Sequence, residues 1–130
     1  MGVLHSQLKQ APAGMKNRPF YQKLGFAING LSYAIRHEAN MRRHVLIGSV
    51  TILVFAVVQV AYIWWALISI CIGLIIASEL INSALEALID HIHPEYHSNI
   101  GHVKDILAAM VLILSISALS VGGLALLDTL

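Results

Sequence analysis

From Val45 to Ser78 the chain carries no charged residue, and a second uncharged run extends from Ile106 to Leu127. These runs restrict the fold more than any other feature, because a single bilayer crossing takes about 20 apolar residues and each run is long enough to span. Val45–Ser78 is too long for one helix and slightly short for two, so its second helix must continue through Glu79 toward Asp90. A break near Gln59–Tyr62 divides the run, with Tyr62, Trp64 and Trp65 as an interfacial aromatic anchor. The expected spans are 44–61, 64–88 and 106–127. At 130 residues, 58% hydrophobic and 12% charged, the chain is too short for two ordinary domains and too apolar for a typical soluble one. The fold class expected is an all-α membrane protein.

The net charge of +1 decides little, but the placement of charge decides more. Lys16, Arg18, Lys23, Arg36, Arg42 and Arg43 all precede the first span. By the positive-inside rule the N-terminus is cytoplasmic, which puts the Tyr62 turn outside, the 89–105 loop inside and Leu130 outside. Cys71 is the only cysteine and falls within a span, so neither an internal disulfide nor a zinc-thiolate site is expected. Residues 1–17 read as a flexible leader without the apolar core of a signal peptide.

After Pro19, the residues Phe20, Leu24, Ala27, Ile28, Leu31, Ala34 and Ile35 recur at helical spacing with polar residues between them. This predicts an amphipathic surface helix over 19–37, with Lys23 and Arg36 toward water. The polar stretch His37–His44 is expected to turn the chain into the first span, with Arg42 and Arg43 as topological anchors.

Glu79, Asn82, Glu86 and Asp90 are separated by 3, 4 and 4 residues. On a helix that spacing places them in a sector of roughly 80°. An acid within a span costs on the order of 2.5–3.5 kcal/mol near the bilayer centre, so the stripe needs a compensating use. Carboxylates converging at the cytoplasmic boundary suit Mg²⁺, which takes oxygen ligands and bridges carboxylates to substrate phosphates. One of them could also accept the proton of an attacking hydroxyl. Together these parts describe phosphoryl transfer, although neither a phosphate-binding P-loop nor the protein-kinase Gly-rich loop is present in the sequence.

The segment after Asp90 holds four histidines, His91, His93, His97 and His102. No cysteine accompanies them, which favours solvent-facing or phosphate-proximal roles over zinc. Lys104-Asp105 is expected at the start of the third span, where Lys104 reads equally as a phosphate contact or as one more positive-inside anchor.

Glu38-Ala39-Asn40-Met41-Arg42-Arg43-His44, Glu79-Leu80-Ile81-Asn82-Ser83-Ala84-Leu85-Glu86-Ala87-Leu88-Ile89-Asp90, Glu95-Tyr96-His97 and Lys104-Asp105-Ile106-Leu107-Ala108-Ala109 closely resemble the prokaryotic diacylglycerol kinase family, which includes the undecaprenol kinases. The resemblance covers about residues 18–127. It implies a homotrimer of three-span subunits in the bacterial inner membrane, with a surface N-terminal helix and active sites built between neighbouring subunits at the cytoplasmic interface. It further implies ATP as co-substrate with Mg²⁺, and a lipid alcohol, diacylglycerol or undecaprenol, as acceptor.

By the matching motifs, Glu79 resembles the catalytic base, and Glu38 and Glu86 the ligands of the nucleotide-bound metal. Glu38, Asn82, Glu86, Asp90, Glu95, Tyr96, His97, Lys104 and Asp105 resemble nucleotide-binding positions, while Ala39 and Arg42 with Glu79 resemble the lipid site. Glu38 is implied by the resemblance alone. Pro19 and Phe26 stand where diacylglycerol-specific members have an arginine and a tyrosine, and Arg18 or Lys23 would substitute for that arginine. The segment Asn40–His44 resembles the undecaprenol-kinase branch, whereas Glu95-Tyr96-His97 and the fifteen residues from Asp90 to Asp105 resemble the diacylglycerol kinases, toward which the reading leans.

Two other classes use intramembrane carboxylates. An ion or proton transporter would keep its acids near the bilayer midplane, whereas here they run outward to an aqueous loop. A structural subunit would use the stripe for assembly only.

Overall fold

The computed structural model describes residues 17–93, 95 and 97–130, so the leader expected over 1–17, apart from Asn17, and Tyr96 lie outside the described residues. The chain divides into two compact units, one ending at Tyr33 and one running from Ala34 to Leu130.

In the first unit, Pro19 opens helix α1, Phe20–His37, and its carbonyl accepts hydrogen bonds from the backbone N–H groups of Gln22 and Lys23. A proline suits this position because its missing N–H would be unpaired there in any case. Arg18 donates to Gln22 Oε1 at 3.3 Å and stacks its guanidinium 5.8 Å from the Phe26 ring.

The second unit takes in the last turn of α1 and three long helices, α2 (Ala39–Val58), α3 (Tyr62–Ile92) and α4 (Ser98–Thr129). All three are long and apolar enough to cross a membrane. Helix α3 pairs with α4 along the greatest length, and α2 packs chiefly on α3. Short connections make sequential neighbours antiparallel.

The core sits at the end of the bundle where α2 gives way to α3. Phe55, Val60, Ile68 and Ala125 are buried together, with Trp64, Trp65, Cys71, Ile72 and Val121 packed around them. Phe55 and Trp65 meet edge to face at a centroid distance of 5.7 Å. Trp64 Nε1 donates to Asp128 Oδ2 at 2.9 Å and ties α3 to the end of α4. The expected break at Gln59–Tyr62 is present: Gln59 adopts the left-handed conformation at φ 61°, and its N–H closes α2 on the Phe55 carbonyl.

Three boundary expectations need correction. The turn expected over His37–His44 shrinks to Glu38, whose extended backbone (φ −113°, ψ 114°) separates α1 from α2. Arg42 makes so tight a junction possible, because its Nη1 donates to the carbonyls of Ile35 and Arg36 at 3.0 and 2.9 Å, capping the end of α1. The loop expected over 89–105 is also far shorter. Helix α3 continues to Ile92, since the Ala, Leu and Glu of Ser83–Leu88 are strong helix formers, and it stops before Pro94, which disfavours helical backbone at the preceding residue. Helix α4 begins at Ser98, capped by His97 Nδ1 accepting from the Asn99 N–H at 3.1 Å. Lys104 and Asp105 therefore lie about two turns inside α4, and the anion affinity of a helix N-terminus does not reach them. In all three places hydropathy marks where lipid begins, whereas the helix ends are set by capping and backbone breaks.

Candidate active site

Helix α3 has 31 residues and is about 46 Å long, against a hydrocarbon core of about 30 Å. A helix entering at Tyr62 thus leaves the hydrocarbon near Asn82 and runs on for about ten residues. The polar stripe falls on this exit. Glu79 is buried at 3% exposure, Asn82 and Glu86 are half-buried, and Asp90 is exposed. The four residues form a ladder that starts buried inside the protein and ends exposed at its surface.

The buried end is built by two helices. His44, in the second turn of α2, places Nε2 3.2 Å from Glu79 Oε1. Ser78 turns its hydroxyl back to the Ile75 carbonyl at 2.7 Å, a bond internal to α3. One turn beyond Glu79, Asn82 Oδ1 and Ser83 Oγ are buried without a hydrogen-bond partner among the described residues. An unsatisfied amide oxygen in an apolar setting costs about 1–3 kcal/mol, so its presence on the same stripe as three acids marks a place for an incoming group.

At the exposed end, Lys104 Nζ lies 3.2 Å from Asp90 Oδ1, joining α4 to α3. His93 and His97 stand at the two ends of the connection between these helices. His93 Nδ1 lies 2.9 Å from the Glu95 carbonyl, and the His93 and His97 rings meet edge to face at 6.3 Å. His91 belongs to α3 and His102 to α4, so the four histidines do not form one loop cluster.

An apolar groove of about 540 Å³ begins at His44 and runs along α2, α3 and α4 past Gly48, Ile72, Ile75 and Gly122 to Phe55 and Leu126. Thr51 and Ser115 are its other polar side chains, and each turns its hydroxyl to the carbonyl four residues earlier, so the wall presents almost no unsatisfied polarity.

The remaining candidate residues are dispersed. Glu38 is half-buried at the α1–α2 junction, where its carboxylate makes no cap. Ala39 is exposed at the start of α2. Arg42 has one nitrogen committed to the α1 carbonyls. Asp105, Glu95 and His97 are exposed, and Tyr96 lies outside the described residues. Among the described residues no three His, Cys, Asp or Glu side chains gather as a metal-binding group. Sequence reasoning gave His44 no part of its own. The signal was a histidine entering an apolar span, but its partner could be named only once the α2–α3 register was known.

The donor chemistry nevertheless fits a hard divalent cation. Glu38, Asn82, Glu86 and Asp90 offer oxygen only, and the unpartnered Asn82 Oδ1 is a neutral oxygen ligand of the kind such a cation accepts.

Comparison with known proteins places these features in context. A diacylglycerol kinase of Synechocystis sp. is 33% identical over 106 residues, covering 81% of this chain and 61% of its own length. A diacylglycerol kinase of Escherichia coli K12 is 33% identical over 94 residues, covering 72% of this chain and 77% of its own. An undecaprenol kinase of Bacillus subtilis 168 is 26% identical over 103 residues, covering 79% of this chain and 84% of its own. The chain thus spans about three fifths of the Synechocystis relative. The family model described as prokaryotic diacylglycerol kinase matches residues 25–126, the stretch that carries the helical stripe, the His44 contact and the Asp90–Lys104 pair, and the chain belongs to that family.

Proposed function

We propose that the protein phosphorylates a membrane lipid alcohol at the expense of ATP, with diacylglycerol as the first candidate acceptor and phosphatidic acid as the product. The observation that carries this reading is the buried Glu79 at the head of a stripe that emerges into water, in a chain of this family. The transporter alternative has no support from the family, and the acids leave the hydrocarbon rather than cross it.

The acceptor hydroxyl meets the Glu79 carboxylate near the hydrocarbon boundary. Its oxygen bonds to the γ-phosphorus of ATP as the bond from that phosphorus to the β–γ bridging oxygen breaks, and Glu79 takes the hydroxyl proton. ADP leaves with the bridging oxygen. Glu38 and Glu86, with Asn82 Oδ1 one turn from Glu86 on the stripe, would hold Mg²⁺, which when bound neutralises charge on the β- and γ-phosphates. Asp90, Glu95, Tyr96, His97, Lys104 and Asp105 surround the nucleotide on the water side. Positioning supplies most of the rate, because phosphoryl transfer asks little covalent chemistry of the protein.

Three finer features belong to the same proposal. The N-terminus and the site face the cytoplasm of a bacterial inner membrane, where the ATP is. Helix α1 lies in the membrane surface. Three copies assemble with sites between neighbours, a reading supported by the fact that no three potential metal ligands gather among the described residues of one chain.

A second acceptor, undecaprenol, is favoured by one specific observation: the Asn40–His44 segment, which resembles the undecaprenol-kinase branch, supplies the residue that touches Glu79. Purified protein in mixed micelles with MgATP, offered diacylglycerol and undecaprenol in parallel, tests both acceptors. Transfer to one lipid that disappears in Glu79→Gln supports the reaction class and names the substrate. Absence of transfer to either lipid refutes the kinase reading.

A further inference from the structure

We propose that His44 is the positioning residue for the Glu79 base: its Nε2–H holds one carboxylate oxygen so that the other faces the acceptor hydroxyl. This rests on the kinase reading above. Nε2 of His44 lies 3.2 Å from Oε1 of Glu79, and because a carboxylate only accepts hydrogen bonds, a bond between them needs the proton on Nε2. With the proton there, Oε1 is taken by His44 and Oε2 is left for the acceptor.

Two features make the contact more than a chance approach. The first is burial. The Glu79 side chain is 4% exposed and that of His44 is 21% exposed, so neither swings freely in water to find other partners. A carboxylate so enclosed is destabilised unless it receives hydrogen bonds, and a directed donor satisfies that need and fixes its rotamer together. The second is the close approach of the helices. A Cβ built on Gly48, one turn past His44, would stand 3.5 Å from Ile72 Cγ2, so α2 rests against α3 at ordinary contact distance and holds the imidazole over the carboxylate.

His44 also stands at the head of the apolar groove. An acceptor hydroxyl arriving there has a lipid environment on one side and the His44–Glu79 pair on the other. Without the imidazole, the carboxylate is free to rotate toward the polar stripe. A displacement of about 1 Å at a reacting group lowers turnover by as much as about 100-fold.

The geometry of the contact gives a sharp test. In His44→Gln the side-chain amide nitrogen falls close to the place of Nε2, and in His44→Asn it falls close to the place of Nδ1, too short to reach Oε1. Both replacements are neutral and polar. His44→Ala, His44→Asn, His44→Gln, Glu79→Gln and the double variant His44→Ala/Glu79→Gln are assayed in mixed micelles with MgATP, with unfolding midpoints measured alongside. The expected result is a kcat about 10- to 100-fold lower for Ala and Asn. KM values for MgATP and lipid stay within about twofold, and His44→Gln recovers to within about fivefold of wild type. Gln and Asn should unfold alike, and the double variant should be no slower than Glu79→Gln alone.

Equal kcat for Gln and Asn overturns the proposal, even should the Ala variant fail to fold. So does a wild-type kcat in His44→Ala, or a loss confined to KM. Those outcomes with an inactive Glu79→Gln leave the base assignment intact. A fully active Glu79→Gln refutes the base assignment and this proposal with it, and an inactive wild type refutes the kinase reading itself.

Discussion

Lys104→Met separates an anchoring residue from a nucleotide contact at the wet end of the site. The Lys104–Asp90 pair is 3.2 Å apart, with side-chain exposures of 38% and 67%. Coulomb attraction at that separation in a water-like dielectric is about 1.3 kcal/mol. Ordering two long side chains and screening by salt reduce this, and exposed pairs measured by double-mutant cycles contribute about 0.2–1 kcal/mol. Methionine keeps the apolar stem and removes the charge, so Lys104→Met should destabilise the protein by less than about 1 kcal/mol. A charge-assisted contact to phosphate contributes about 1.5–3 kcal/mol, so the same substitution should raise the KM for MgATP by about 10- to 100-fold. Reversible unfolding in mixed micelles gives the first quantity and initial rates at saturating lipid give the second. A cycle with Asp90→Asn isolates the pair. A stability loss above about 2 kcal/mol with an unchanged KM would show that Lys104 is only a strut between α3 and α4, and would refute its placement beside the nucleotide.

Four further outcomes follow from the same geometry. Glu86→Gln is expected to shift the Mg²⁺ titration of activity to higher concentration by about tenfold or more, and an unchanged titration would remove Glu86 from the metal site. Phe55→Ala should lower stability by about 2–4 kcal/mol in an unfolding titration, from the lost aromatic contact and the cavity rather than from transfer to water, because the unfolded side chain remains in lipid. Trp64→Phe keeps an aromatic ring, though a smaller one, and loses the bond to Asp128, and should lower the same midpoint by about 0.5–1.5 kcal/mol with kcat unaltered. Gln59→Gly relieves a left-handed conformation at φ 61° and should raise stability by about 1 kcal/mol, a gain that backbone strain elsewhere in the turn would erase.

Much of the architecture was legible in the sequence. The uncharged runs required three crossings, and the break at Gln59 fell where the aromatic anchors suggested, since hydropathy reports contact with lipid directly. The start of α4 was not legible for the same reason: Ser98–Asp105 is helical but precedes the uncharged run, where hydropathy is silent. The stripe on α3 could be read from spacing because it lies within one helix. Contacts between helices could not, and His44–Glu79 depends on the register of α2 against α3, which no local pattern encodes. Glu38 came only through family resemblance, being a lone acid whose half-burial is invisible until α1 and α2 are seen to abut. Arg42 was read as a topological anchor and is in addition the cap that lets those helices meet with a single residue between them.

The unbroken course of α3 has one more consequence. Glu79 lies about 26 Å along the helix from Tyr62, and Asp90 about 16 Å farther on, and a rigid helix keeps both intervals constant. The protein therefore carries a built-in ruler, with its zero at the aromatic anchor on one leaflet and its reading mark at the proposed base near the other. In a membrane a few ångströms thicker the mark sinks below the headgroups, and in a thinner one it rises among them, unless the helix tilts to compensate.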